Sequence, residues 1–320
     1  MDALLTQLTN TATNLSTYLP LTPFATLIGL ICVIAQITFT VLLDKRIFPR
    51  KWYGPWNDLP GFTAHQLIAL PNMCILTYYG IQDWFFTADK DIIGNQTSYD
   101  RVFGHSNSNH IPLAIGSGAV LIWDTPSGFI IPALQDPIML MHHIGMFLVA
   151  ATMSGAFSKG KMIGYYYASY YFGVIEISSI PLSYVDLFHP KYKYYYEWLN
   201  NNKDDNGGGK IKKALHGVNE MARIVFAVLF LIFRGIYFPY VTFGHTIPDL
   251  WTAYFNKHQP PDDVPIWTGY FLICSVSLFA VLQSYWGMLI LKQIYKMVFH
   301  GDSSDVGGTK KDRNNGKKKD

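Results

Sequence analysis

Seven apolar windows, each about as long as a bilayer core is thick, constrain this chain more than any other feature. Crossing ~30 Å of hydrocarbon takes ~20 helical residues at ~1.5 Å each. The windows run over 24–43, 62–82, 111–131, 138–157, 162–182, 222–245 and 266–290. In lipid every backbone polar group must be satisfied within its own segment, so the expected fold is all-α, a polytopic transmembrane helix bundle of about seven spans. Composition agrees. Half of the 320 residues are hydrophobic and only 15% are charged, against ~25% charged in a soluble domain. The third window is the weakest, because Asp124-Thr125-Pro126 interrupts it. The connector from Ser158 to Lys161 is very short, which predicts antiparallel neighbours and one compact three-helix unit over 111–182.

The charges fall in clusters between the windows, and their side sets the topology. Lys45, Arg46, Arg50 and Lys51 follow the first window. Lys191, Lys193, Lys203, Lys210, Lys212 and Lys213 lie between the fifth and sixth, and Lys292, Lys296 and a basic terminal cluster follow the seventh. With seven spans all three stretches share one face, the cytosolic one. The amino-terminal segment 1–23 is then lumenal, along with 83–110 and 246–265, and the carboxyl terminus is cytosolic. The segments on the opposite side hold few basic residues and several acidic ones, and only the short turn with Lys159 and Lys161 runs against the pattern. The first window, 24–43, reads as a retained helix, because the polar residues before it lack a basic leader. Residues 60–295 read as the main membrane domain. Within it, 200–213 is a polar cytosolic loop, and 301–320 is a disordered basic tail. Asn14 and Asn95 head glycosylation sequons on the lumenal side. Lys317 and Lys318, third and fourth from the end, resemble a dilysine retrieval signal for the endoplasmic reticulum. Trp52, Tyr53, Trp56, Tyr192, Tyr194, Tyr195, Tyr196 and Trp198 are expected at the headgroup boundary. Cys32, Cys74 and Cys274 lie inside apolar windows without metal-ligand spacing. A net charge of +3 gives no basic field for a nucleic-acid partner.

An ionisable group inside a spanning helix costs at least ~2.5–3.5 kcal/mol on insertion scales, which makes each one a functional candidate. Asp124, His142, His143, Glu176 and Arg234 qualify, with Arg223 and His245 near helix ends. At ~1.5 Å per residue, Asp124 lies ~11 Å, the histidines ~6–8 Å and Glu176 ~9 Å inside the cytosolic ends of three successive helices. Ser169, Gly173, Glu176, Ser179 and Ser183 share one helical stripe. His142, Gly145, Val149 and Thr152 share another. One buried polar cluster of Asp124, His142, His143 and Glu176 is expected, lining a cavity or tying helices together. Arg234, ~18 Å into its helix, needs a carboxylate or headgroup partner, with Glu176 one candidate among several. Adjacent histidines project ~100° apart on a helix, so no metal is expected.

The order Trp123-Asp124-Thr125, His142-His143, Glu176-Ile177-Ser178-Ser179-Ile180-Pro181 and Phe233-Arg234-Gly235 resembles the TLC-domain family. That family includes the ceramide synthases and the translocating-chain-associated membrane proteins, and the resemblance covers roughly 60–295. The synthase branch carries a His-Asp pair beyond its His-His pair. This chain has no His-Asp dipeptide, so the resemblance points to the non-synthase branch, linked to membrane lipid composition, sensing or trafficking. It implies a multi-pass protein of the endoplasmic reticulum acting in lipid homeostasis, with phospholipid or sphingolipid and their acyl chains as partners, self-association left open and no resident cofactor. Two alternatives stand beside it. One is an acyltransferase using His142 or His143 as base or nucleophile with acyl-CoA as donor. The other is a non-catalytic assembly or trafficking factor.

Overall fold

The computed structural model describes residues 22–45, 56–87, 97–104, 111–200, 209–256 and 259–300. Asn14, Asn95, Trp52, Tyr53, Lys317, Lys318 and the tail 301–320 lie outside the described residues. All seven windows are helical, and no strand occurs among the described residues. The first is α1 (Thr22–Asp44), and the second is α2 (Pro60–Ile81), extended by a π-turn over Gln82–Thr87. A short helix α3 (Ser98–Phe103) begins with a capping box in which Thr97 and Asp100 satisfy each other's backbone. The third window, α4, runs as Ile111–Gly118, a π-turn over Ala119–Asp124, and Thr125–Ile130. Asp124-Thr125-Pro126 therefore does not end the helix. Proline lacks an N–H and crowds the preceding turn. Here the backbone widens, and the Thr125 N–H reaches back five residues to the Val120 carbonyl.

The fourth window is α5 (Pro137–Met153). The fifth, α6, is broken into Tyr165–Phe172, a 3-10 stretch Val174–Ser178, and Ser179–Leu187. A short α7 (Lys193–Asn200) follows. The sixth window lies inside α8, which starts at Gly209–Leu229 and continues through π-turns to Asn256. The last is α9 (Ile266–His300). By length and apolarity alone, three stretches could cross a membrane: Ala25–Asp44, Ile211–Asn256 and Ile266–Lys296. The other four windows are helical but shorter, bent or more polar.

Three sequence expectations change. The polar loop over 200–213 ends early, because α8 begins at Gly209, where Ile211, Leu215 and Val218 already follow helical spacing. The connector between α5 and α6 runs from Ser154 to Gly164 and turns several times, with positive φ at Gly155, Lys159, Gly160 and Gly164. So long a connector does not force antiparallel neighbours. α5 packs mainly on α4 and α9, while α6 packs on α2, α4 and α8, so 111–182 is not a self-contained unit. Finally, Tyr192 and Tyr195 are buried against Phe62 and Trp56 in a small aromatic core. Among the described members of that group, only Tyr194 and Tyr196 are exposed. An amphipathic α7 turns alternate faces of the run inward and outward, so a tyrosine-rich run need not lie wholly at the headgroups.

α6 is the axis of the bundle. Tyr165, Tyr167, Tyr170, Tyr171 and Phe172 are all buried, and buried tyrosines need partners for their hydroxyls. Tyr167 donates to Asp249, Tyr170 to the Phe233 carbonyl, and Tyr171 to Thr246, all on α8. Asp249 also accepts from Nε and Nη2 of Arg101, which pins α3 to the far end of α8. Gly80 of α2 and Gly173 of α6 meet backbone to backbone, so a Cβ on either would overlap the other chain segment. In lipid, where tails are as apolar as leucine, such small-residue contacts hold helices together. Outside the membrane-spanning segments, the Lys159 ammonium lies 2.8 Å from the Asp263 carboxylate. Its hydrogen bond and charge hold that carboxyl below its ordinary range.

Candidate functional site

Asp124 is the hub of the polar interior. Widening of α4 at its π-turn places this carboxylate in the bundle rather than at a helix end, and it is buried. One oxygen, Oδ1, lies 2.8 Å from Nε2 of His65 on α2. The other, Oδ2, lies 3.2 Å from Nδ1 of His143 on α5, at ion-pair distance but without hydrogen-bond alignment. His65 stacks on Trp123, with ring centroids 4.7 Å apart. The Trp123 N–H donates to Gln36, whose amide donates in turn to the Gly61 carbonyl. α1 thus braces the residues that hold Asp124. Of the three central groups His143 is the most open, its side chain 25% exposed against 10% for His65 and 12% for Asp124.

His142 faces the other way. Its ring packs edge-on against Phe279 and Trp286 of α9, at 5.4 and 5.7 Å. The stripe His142, Gly145, Val149 and Thr152 does turn inward: Gly145 meets Phe279, and Val149 and Thr152 are buried. His142 lines a crevice shared with Tyr171, Phe238 and Gln283, whose free volume of about 10 Å³ is roughly one water's worth. The expected cavity is therefore closed to any lipid group at this point. His142 Nδ1 and Gln283 Oε1 are both sheltered and without a partner among the described residues.

Glu176 does not join the histidines. Its carboxylate lies 3.3 Å from the Arg234 guanidinium. Arg234 Nε also donates to Ser178 Oγ at 2.9 Å and the Ile175 carbonyl at 3.1 Å, and its Nη2 donates to Ser179 Oγ at 2.8 Å. The Glu-x-Ser-Ser run is thus a cradle for one arginine. The single predicted cluster is instead two centres, His65–Asp124–His143 on α2, α4 and α5, and Glu176–Arg234 on α6 and α8. The cause is the break at Gly173: a 3-10 stretch rewinds α6, so Gly173 faces α2 while Glu176 and Ser179 face α8. A charge in a low-dielectric interior survives only when paired and hydrogen-bonded, and both centres meet that condition.

His65 was missed in the sequence, although it lies in the second window and satisfies the same insertion-cost criterion as the others. Among the described residues no group of three or more His, Cys, Asp or Glu is placed to hold a metal ion. What the first centre can do is orient an imidazole. An imidazole standing beside a carboxylate is placed to take up a proton, as a general base must.

The model of the TLC domain matches residues 22–292, so the match takes in α1 as well as every residue of both centres. No curated protein and no solved structure matches the chain. The ordered polar groups, the apolar helices that carry them and a match over most of the length lead to one assignment: this chain belongs to the TLC-domain family of membrane proteins.

Proposed function

We propose that the protein handles membrane lipids in the endoplasmic reticulum, binding a lipid polar group at the Asp124–His143 centre as part of lipid homeostasis rather than as a ceramide synthase. One observation carries this reading: a carboxylate flanked by two imidazoles is held within apolar helices of a TLC-domain chain, and one of those imidazoles is partly open. Such a group is too costly in hydrocarbon to keep without use or compensation. Seven spans, a lumenal amino terminus and a cytosolic carboxyl terminus with Lys317 and Lys318 belong to the same reading. So does placement in the non-synthase branch.

An acyltransferase is the second reading, favoured by the same carboxylate–imidazole pair. There His143 takes the proton from an amine or hydroxyl acceptor as it attacks the thioester carbonyl of acyl-CoA, the C–S bond breaks, and the proton passes to the departing CoA thiolate; His142 is the less suited of the two because its ring is packed against α9. The test is mass spectrometry of lipid retained by the purified protein, with Asp124→Asn and His143→Ala beside the wild type. Retained lipid that falls at least tenfold in both variants, with abundance unchanged, is the expected result. Acyl transfer from acyl-CoA that vanishes with His143→Ala would select the second reading. Loss of abundance alone, with no lipid retained by the wild type, would sink both and leave an assembly factor.

A further inference from the structure

His142 and Gln283 meet at a crevice that neither of them fills. On α9, Phe279, Gln283 and Trp286 follow one another at helical spacing along a single face. The two rings of that face pack against the His142 imidazole, so the amide between them lies where His142 covers α9. Gln283 is 1% exposed. Its Oε1 and the Nδ1 of His142 are both sheltered and without a hydrogen-bond partner among the described residues. Both side chains line the same crevice of about 10 Å³ between α5, α6, α8 and α9. Apart from Tyr171, the other walls are apolar, among them Met146, Val149, Phe238 and Val276. The Tyr171 hydroxyl is already engaged with Thr242 and Thr246 of α8, each at 2.9 Å. Buried polar atoms are nearly always hydrogen-bonded, and apolar walls supply neither donor nor acceptor.

We propose that this crevice is a binding site for one water molecule, which donates a hydrogen bond to Gln283 Oε1 and pairs with His142 Nδ1, bridging α5 to α9. Volume and polarity together select the occupant. A buried water needs ~10–15 Å³ of such space and two to four polar partners. The crevice supplies that space and two partners. A wholly apolar cavity stays dry, but here a dry crevice would leave two buried polar atoms unpaired. A lipid polar group is too large for it. Either tautomer of His142 completes the bridge: Nδ1 accepts the second water proton, or its N–H donates to the water oxygen. The neighbouring histidines are then divided in role. His143 faces Asp124, while His142 is a bridging residue whose polar atom is served by water at α9. The site does not depend on lipid binding at the Asp124–His143 centre.

The test is radiolytic footprinting of the full chain in phosphatidylcholine nanodiscs after mixing with oxygen-18 water. An X-ray pulse turns water into hydroxyl radicals, which mark the side chains beside each water, and mass spectrometry maps the marks. Expected is oxygen-18 on His142 and Phe279, arriving later than on the exposed Tyr194 because the bound water must first exchange. In Gln283→Met, which keeps length and removes the polar pole, the marks on both rings should fall at least fivefold relative to Tyr194. Melting of Gln283→Met, His142→Phe and the double variant is read alongside, and the double variant should recover part of the two single losses. If His142→Phe does not fold, the marks in Gln283→Met decide alone. No marks on the rings, with the two variants coupled, would mean a direct His142–Gln283 hydrogen bond and overturn the water. No marks and no coupling would mean a dry crevice and overturn it equally. Marks that Gln283→Met leaves unchanged, or that arrive as fast as on Tyr194, would mean bulk water and overturn the site.

Discussion

Arg234 carries a permanent charge into the interior, so at the residue scale its neighbours decide what its removal does. Arg234→Met strips the Glu176 carboxylate of its counter-charge and leaves Ser178 and Ser179 without a donor. Breaking a buried pair from one side typically costs about 3–5 kcal/mol. Glu176→Gln keeps an acceptor for Arg234 and should cost less. The double variant should recover part of the Arg234→Met loss, because neither side then leaves a lone charge. Thermal unfolding in detergent checks all three; an additive double variant would mean the two groups are not coupled. Four of the five ionisable groups in the two centres were legible in the sequence, since the cost of burying charge in lipid flags them wherever they fall. Their pairing was not. Each residue turns ~100° about a helix, and the rewinding at Gly173 added a rotation that straight-helix spacing does not contain. His65 carries the same insertion cost but stands alone in its window, without the neighbouring His that marks His142-His143.

At the scale of elements, apolar length located the helices, while the bends and close approaches were hidden. Nothing in the hydropathy of 162–182 marks the break in α6, although Gly173 lies at it. Two glycines give opposite predictions. Gly80 touches the backbone of Gly173, so Gly80→Val should force α2 and α6 apart and cost at least the ~1–3 kcal/mol of an overpacked core. Gly217 lies on an exposed turn of α8 with nothing within reach of an added Cβ. Gly217→Ala should therefore only gain helix propensity, up to about 0.8–1 kcal/mol. Paired melting curves in one detergent decide the matter. A neutral Gly80→Val would show that the helices do not pack at contact distance, and the position of Glu176, which follows from that contact, would be in question.

For the whole molecule, the charges at the helix ends predict which compartment each end faces. α8 is the most telling element: Ile211–Asn256 holds 46 residues, about 69 Å at ~1.5 Å each, more than twice a ~30 Å core. Part of it must stand outside the hydrocarbon. Its first turns carry Lys210, Lys212 and Lys213, and its last turns carry Asp249, tied to Arg101 of α3. Charge bias therefore predicts the start of α8 in the cytosol and the connector at Asp263 in the lumen. The connector at Gln135, between α4 and α5, should share the side of Lys213 if α4 crosses. Single cysteines at these three exposed sites, in a background with Cys32, Cys74 and Cys274 changed to serine, turn this into a measurement on sealed microsomes. A membrane-impermeant maleimide should label Lys213→Cys and Gln135→Cys directly, and Asp263→Cys only after permeabilisation. Labelling of Asp263→Cys without permeabilisation would reverse the assignment or remove a crossing. Labelling of Gln135→Cys only after permeabilisation would mean that α4 does not span, and Asp124 would then hold its two histidines at the edge of the membrane rather than within it.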